Sequence, residues 1–409
     1  MRTALEIIFW LSCGLIVWTQ VGYAAALAAL ARVFARATAQ PAREHEQRSL
    51  ARGGAHQSSS ASSPPALSLI VAAHDEESVI AAKVANALAL DYPRALLQVI
   101  VACDGCADRT AARATDAGAD LVLELPRGGK IRAQDAAVEQ ARGEIVAFSD
   151  ANALWEPDAA LALVRAFDDP RVGYACGQVR FVRAIGDAAG AQDGAGAGAP
   201  NQEGVYWRYE LGVRALESRL SSITAGNGAI YATRRASYIV VDPIMGHDLS
   251  LPFNMVKRGL RAVYVPGARA SEKMVPSLSG EFARKRRMMS HTWPIVLRGG
   301  MLSPRGYPPG YALMILSHRV LRYSTAALHA IALAVNIALV ALGTSLLYVV
   351  TLDLQLALLL AASLAGVLPV RPLLIARYYV LTTASLAAGL WDWLRHGTSA
   401  SWEAAEGTR

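Results

Sequence analysis

The sequence predicts an α/β domain with a mostly parallel sheet, fused to membrane-type and interfacial helices. Two observations predict it. Between residues 67 and 150, short and nearly continuous apolar runs alternate with helical segments, the pattern of parallel strands buried on both faces. Much longer apolar runs lie outside that region, at residues 5–31 and from about 311 to 394. The 409 residues are 53% hydrophobic and 18% charged, too apolar for an ordinary soluble domain and too charged for a purely membrane-spanning one. The two kinds of segment therefore answer to two solvents.

Taken in order, residues 5–31 carry a single charge, Glu6, and are followed by Arg32, Arg36 and Arg43. A signal peptide places its positive charges before the apolar run, so 1–39 reads as a transmembrane helix whose C-terminal end is cytoplasmic. Residues 40–66 are polar and Ser-rich without apolar periodicity, and read as a disordered linker. The α/β domain occupies 67–275. Its strands are LSLIVAA (67–73), LQVIVAC (97–103), ADLVLEL (119–125) and EIVAFSD (144–150), with helices expected between them, at 109–117 and 127–143 among others. Residues 186–202 form a Gly/Ala-rich surface loop, and 206–220 an amphipathic helix on which Glu217 and Arg219 read as solvated surface. Residues 276–323 mix apolar and basic residues, as interfacial amphipathic helices with snorkelling arginines do. Three spans follow within 324–394, near 324–345, 346–368 and 376–394, and 395–409 is a tail. Arg371 and Arg377 place the loop between the last two spans on the cytoplasmic side. This makes a multi-pass protein of the plasma or inner membrane with a cytoplasmic domain.

The formal charge of +7 sits largely in basic clusters flanking the apolar segments, and no regular nucleic-acid motif accompanies it. Membrane lipid and nucleotide phosphate are the expected partners, and nucleic acid is not. Of four cysteines, Cys103 and Cys106 form a C-x-x-C pair. No second pair and no nearby histidine pair joins it, so it reads as a strand-end loop rather than a metal or redox motif.

Chemistry is expected where polar residues follow the strands, because the crevice beyond the carboxyl ends of an open parallel sheet binds ligands. His74, Asp75, Glu76 and Glu77 follow the first strand, Asp104 and Asp108 the second, and Asp150 and Asn152 the fourth. Acids crowded in one crevice repel unless a cation joins them, and a divalent metal bound through oxygen brings phosphate with it. Lys130, after the RGG turn, adds a positive charge; neither a GxGxxG nor a Walker A motif is present.

These residues resemble the membrane-bound processive branch of glycosyltransferase family 2, which contains cellulose, chitin, hyaluronan and poly-N-acetylglucosamine synthases. AAHDEE stands where that branch has a YNEE-like stretch, and Cys103-Asp104-Gly105-Cys106-Ala107-Asp108 where it has the D-D-G-S-x-D loop for the base and ribose of a UDP-sugar. The resemblance implies a GT-A-like nucleotide-sugar-binding fold. It places Ala73, Asp75, Glu77, Asp104, Lys130, Asp150 and Arg284 at the donor, with Mg2+ or Mn2+ held by Asp150 and Asn152 in place of a D-x-D pair. Asp248 in Gly246-His247-Asp248 becomes the general base of an inverting transfer. Arg287 neutralises the departing diphosphate, in the segment Arg284 to Met288 that matches Q-x-x-R-W. Asn227, His247 and Met288 fall on the acceptor side. The implied main function is polymerisation of a polysaccharide from a UDP-sugar with export through the chain's own helices, alone or with a second copy or an export partner. Single transfer to a lipid-linked acceptor is the alternative, favoured by Met288 where synthases have a sugar-stacking tryptophan, and the acceptor overall is a glycan or a lipid-linked one. A catalytically degenerate scaffold is a third reading.

Overall fold

A computed structural model describes residues 1–34, 63–182, 200–273, 278–343 and 345–400. The expected linker, most of the Gly/Ala-rich loop and the end of the tail therefore lie outside the described residues. An eight-stranded sheet runs β3-β2-β1-β4-β7-β6-β8-β5. The strands are β1 (Leu67–Ala73), β2 (Leu97–Asp104), β3 (Leu121–Leu125), β4 (Ile145–Asp150), β5 (Leu154–Trp155), β6 (Val172–Val182), β7 (Tyr231–Arg234) and β8 (Arg261–Lys273). The first four are parallel, as their unbroken apolar runs require, and every residue of β1 and β2 is buried. The second half adds antiparallel pairs to the mostly parallel sheet that was expected: β7 runs antiparallel to β4 and β6, and β5 to β8, while β6 and β8 pair parallel.

Helices α2 (Ile80–Leu88), α3 (Thr110–Asp116), α4 (Lys130–Glu139) and α5 (Ala159–Arg165) cover the sheet. Two apolar clusters fill its faces, one around Leu69, Val99 and Trp155, the other around Ile70, Phe148 and Tyr231. Because β1 lies between β2 and β4, the strand order reverses at β1, and the crevice at that reversal opens beyond the carboxyl ends of both.

Around the sheet lie α1 (Arg2–Phe34), α6 (Pro200–Leu220), α7 (His247–Lys257), α8 (Leu278–Leu297), α9 (Pro309–Tyr323), α10 (Thr325–Ala341), α11 (Leu346–Leu364) and α12 (Arg371–His396). Among the described residues, α1, α11 and α12 are long and apolar enough to cross a membrane by length and composition. The segment expected as a span near 324–345 is bent against the helix before it. It is the 17-residue α10, roughly 26 Å long at helical rise, and it meets α9 at 62°. Taken together, α9 and α10 are long and apolar enough to cross a membrane as one broken span, by length and composition. Helix α8 packs against α12, with Arg286 held by Asp392 at 2.6 Å and the Trp293 indole donating to the Leu386 carbonyl at 2.9 Å. A third cluster, around Tyr23, Phe253, Trp293 and Tyr311, joins the sheet domain to these helices.

Glu217 corrects a further expectation. Arg219 is exposed, but Glu217 is fully buried. Its carboxylate accepts from the Tyr23 hydroxyl (2.7 Å) and the Thr224 amide (3.0 Å) and lies 2.7 Å from His318 Nδ1. Glu210, two turns earlier on the same face of α6, pairs with Arg322 and His318. Helix α6 is thus tied to α9 through charge rather than exposed to water.

Candidate active site

The carboxyl ends of β1 and β4, the starts of α4 and α7, and α8 enclose a cavity of about 1280 Å³. Asp150 closes β4 and forms an ion pair with Lys130, the first residue of α4. The turn before Lys130 needs glycine at 129, where φ is 96°. Asp104 holds that turn: its buried carboxylate accepts from the amides of Gly128 (2.6 Å) and Gly129 (3.0 Å). Burial alone would lower the Lys130 ammonium, but the neighbouring Asp150 carboxylate outweighs it and holds the pKa above its ordinary value.

Opposite stands Asp248, in the first turn of α7. Burial pushes its carboxyl above the ordinary carboxylate range, against the attraction of Lys130. His247 is buried, with Nδ1 2.9 Å from the Tyr231 hydroxyl and Nε2 3.2 Å from the Tyr238 hydroxyl. Burial, helped by Lys130, lowers its pKa to about 3, so it is a neutral packing and hydrogen-bonding group on the cavity wall. The Asn227 side chain builds the turn between these two halves, donating to the Gly177 carbonyl (2.7 Å) and accepting from the amides of Ala229 and Ile230. Arg284, Arg287 and Met288 line the cavity from α8, and Met288 is 44% exposed.

The cavity thus brings together Lys130, Asp150, Asn152, Asn227, His247, Asp248, Arg284, Arg287 and Met288 of the expected set. Ala73, Asp75, Glu77 and Asp104 do not line it. They form an adjoining shelf at the ends of β1 and β2, where Asp75 accepts from the Ala107 amide (2.8 Å) and Glu77 from the Arg109 amide (3.1 Å). Asp104, expected at the donor, has its carboxylate on the two glycine amides of the RGG turn, next to Lys130.

Sequence reasoning assigned no role to four residues at or behind the cavity wall. Glu272, on β8, lines the wall, and burial together with Asp150 raises its pKa to about 7. Glu76, rather than its neighbours, reaches the cavity from β1. Lys83 is wholly buried behind the Asp150–Asn152 loop and donates to the Ala153 carbonyl at 2.6 Å. Its signal was legible, a lysine on the same helix face as Ile80, Val84 and Ala87. Gly228 is the fourth: a β-carbon there would lie 3.4 Å from Lys130 Nζ and 3.5 Å from Asp150 Oδ2. Contact at that distance is tolerable, but a branched side chain would fill the space over the ion pair. Gly228→Val is therefore expected to leave the melting temperature nearly unchanged and to weaken nucleotide binding on the order of tenfold to a hundredfold, read by calorimetric titration.

The donor set suits a hard divalent cation. Asp150 supplies a carboxylate, Asn152 an amide oxygen on the same wall, and the space that a residue-228 side chain would occupy leaves room for phosphate oxygens beside them. Magnesium-type ions commonly take one or two carboxylates and complete their shell from substrate phosphate.

Residues 64–290 match the family model described as glycosyltransferase like family 2. An N-acetylglucosaminyltransferase from Rhizobium sp. (strain N33) is 27% identical over 208 residues, 46% of this chain, and the match spans 44% of that relative. Among solved structures, the mannosyltransferase PcManGT from Pyrobaculum calidifontis, in complex with GDP-Man and Mn2+, superposes with a TM-score of 0.61 at 21% identity, covering 91% of this chain and 98% of that one. Glucosyl-3-phosphoglycerate synthase from Mycobacterium tuberculosis, with Mn2+, UDP and product, covers 60% of this chain and 81% of its own at 21% identity, with a TM-score of 0.37. These findings correct two expectations. Over nearly the whole chain, helices included, the fold is similar to that of this mannosyltransferase, and the expected resemblance to processive polymer synthases is cut back to a family 2 glycosyltransferase domain. The multi-pass plasma-membrane placement is corrected as well: the described residues hold three helices long and apolar enough to cross a membrane, or four if the bent pair α9–α10 is one span, and that speaks of length and composition and not of a placement in the cell.

Proposed function

We propose that this chain, which belongs to glycosyltransferase-like family 2, moves one sugar from a UDP-sugar to an acceptor hydroxyl with inversion at the anomeric carbon. The observation that carries the reading is the single cavity in which a buried acid, Asp248, faces the Lys130–Asp150 pair across the Asn227–Gly228 turn. Asp248 takes the acceptor proton as its oxygen attacks. A carboxyl raised by burial is a stronger base than a solvated one. Asp150 and Asn152 would hold Mn2+ or Mg2+, which neutralises charge on the donor diphosphate when bound. Lys130 fixes Asp150, and Arg284 and Arg287 on α8 stabilise negative charge developing on the leaving diphosphate.

On the far side of Asp248 the same cavity is walled by Leu374, Ile375, Tyr378, Tyr379 and Leu386 of α12. An apolar and aromatic wall beside a polar reaction centre supports an acceptor with an apolar portion, and a lipid-linked acceptor fits it. Purified full-length protein with Mn2+ and a panel of UDP- and GDP-sugars tests the reading, with polyprenyl phosphate and short glycans as acceptors. One UDP-sugar should turn over, with product carrying a single added residue of inverted configuration. A ladder of long products, retention of configuration, or turnover confined to GDP-sugars would each refute it.

A further inference from the structure

Lysine is rarely found wholly buried, because an apolar wall does not return the hydration its amine gives up. Lys83 is wholly buried, on an α2 face otherwise made of Ile80, Val84 and Ala87. Its Nζ donates to the Ala153 carbonyl at 2.6 Å and lies 5.3 Å from the centre of the Trp155 ring. Burial lowers its pKa to about 7, against the attraction of Asp150 and Glu272. One turn on, Asn86 brackets the Trp155 backbone, donating to its carbonyl at 2.9 Å and accepting from its amide at 2.8 Å. The Trp155 indole donates to the Ala229 carbonyl at 3.0 Å, beside the Asn227–Gly228 turn. Helix α2 thus grips the chain just as it leaves Asp150-Ala151-Asn152. Its other end is anchored at the end of β1, where the amides of Val79 and Ile80 donate to the Glu76 carbonyl at 3.0 and 2.9 Å. A nine-residue helix therefore sets the distance between the donor shelf and the loop after β4.

We propose that Lys83 is a positioning residue for the divalent cation, holding the Ala153 carbonyl so that the Asn152 oxygen stands beside the Asp150 carboxylate. The proposal rests on the reading of Asp150 and Asn152 as the metal ligands. An amide oxygen attracts a cation less than a carboxylate does, so this site leans on having that oxygen already in place. Outer partners that orient the ligands supply such placement. The Lys83 amine donates to the carbonyl in either protonation state. Charge and geometry predict opposite signs for its removal. An ammonium near a cation site repels the cation, so removing it for charge alone would tighten binding. Removing it as a support weakens binding, because the loop then turns the Asn152 oxygen away.

Mn2+ binding to full-length protein is measured from the EPR signal of free Mn2+, with UDP and in parallel with GDP, alongside thermal unfolding. Lys83→Met keeps an unbranched buried stem and removes the donor. It should bind Mn2+ about tenfold to a hundredfold more weakly. Its melting temperature should stay close to that of the wild type, since an apolar side chain replaces a buried charge with little loss. In turnover, the apparent KM for Mn2+ should rise by the same factor while kcat at saturating Mn2+ is kept. Lys83→Gln retains an N–H donor and should fall between the two, and it carries the test if Lys83→Met does not fold. Affinity equal to or tighter than wild type in the folded variant would overturn the proposal, as would a loss of affinity explained by unfolding. Asp150→Asn separates this from the reading beneath it. Loss of Mn2+ in Asp150→Asn with full retention in Lys83→Met removes the positioning role alone. Retention in Asp150→Asn, or no uptake by the wild type with either nucleotide, refutes the metal site and the proposal together.

Discussion

Asp248→Asn is expected to lower turnover by about a hundredfold to ten-thousandfold, the range general-base removal covers, while leaving affinity for the nucleotide nearly unchanged. The substitution keeps the shape and the backbone of α7, so the loss reports the proton acceptor alone. The Leu249 amide already donates to this side chain at 3.0 Å, a contact that an asparagine oxygen preserves. The pH profile gives an independent reading. Burial raises the Asp248 pKa, and only the ionised form accepts a proton. Activity should therefore fall on acidification through a pKa above the ordinary aspartate value of about 3.9, and the residual activity of the variant should lack that limb. Measuring kcat/KM against pH for both proteins checks the assignment. An acid limb that persists in the variant would move the titrating group elsewhere, with Glu272, raised to about 7, the first alternative.

Glu217→Ala is expected to cost about 3–5 kcal/mol of stability, the scale for removing one partner from a buried charge cluster. The carboxylate is at the centre of contacts from Tyr23, Thr224 and His318, which join α1, α6 and α9, and its removal leaves those polar groups buried without it. Burial alone would raise its pKa. The His318 charge and hydrogen bond, then Arg319 and Tyr23, outweigh burial and hold it below the ordinary glutamate value. A carboxyl with a depressed folded-state pKa contributes its stability above the unfolded value, about 4.3, and loses it as pH falls through the folded one. The difference in unfolding midpoint between wild type and Glu217→Ala should thus be large at pH 7 and shrink in acid. A midpoint difference independent of pH would mean that the side chain acts by packing instead.

Much of this molecule is legible in residue order. Strand identity in β1, β2 and β4 follows from apolar runs that only a doubly covered sheet can bury. Lys130, Asp150 and Asp248 could be named because each stands at a strand end or helix start, where backbone geometry delivers side chains to the crevice. Local pattern misled wherever a charge was judged by its neighbours in sequence. Glu217 has an amphipathic helix around it and reads as solvated, yet its partner His318 is 101 residues away. Asp104 stands where a nucleotide contact is expected, and its reach is decided by two glycine amides 24 and 25 residues on.

The sequence by itself determined the parallel half of the sheet, the crevice at its reversal and the acids that reach it, because periodicity and strand ends are local properties. Only the tertiary structure decided that β7 and β8 make the sheet mixed, that α8 lies on α12, and that Lys83 meets Ala153. Those outcomes depend on which surfaces find each other after the chain closes long loops. The energy of a buried charge or a shared ligand is set by groups distant in sequence, and no local pattern encodes them.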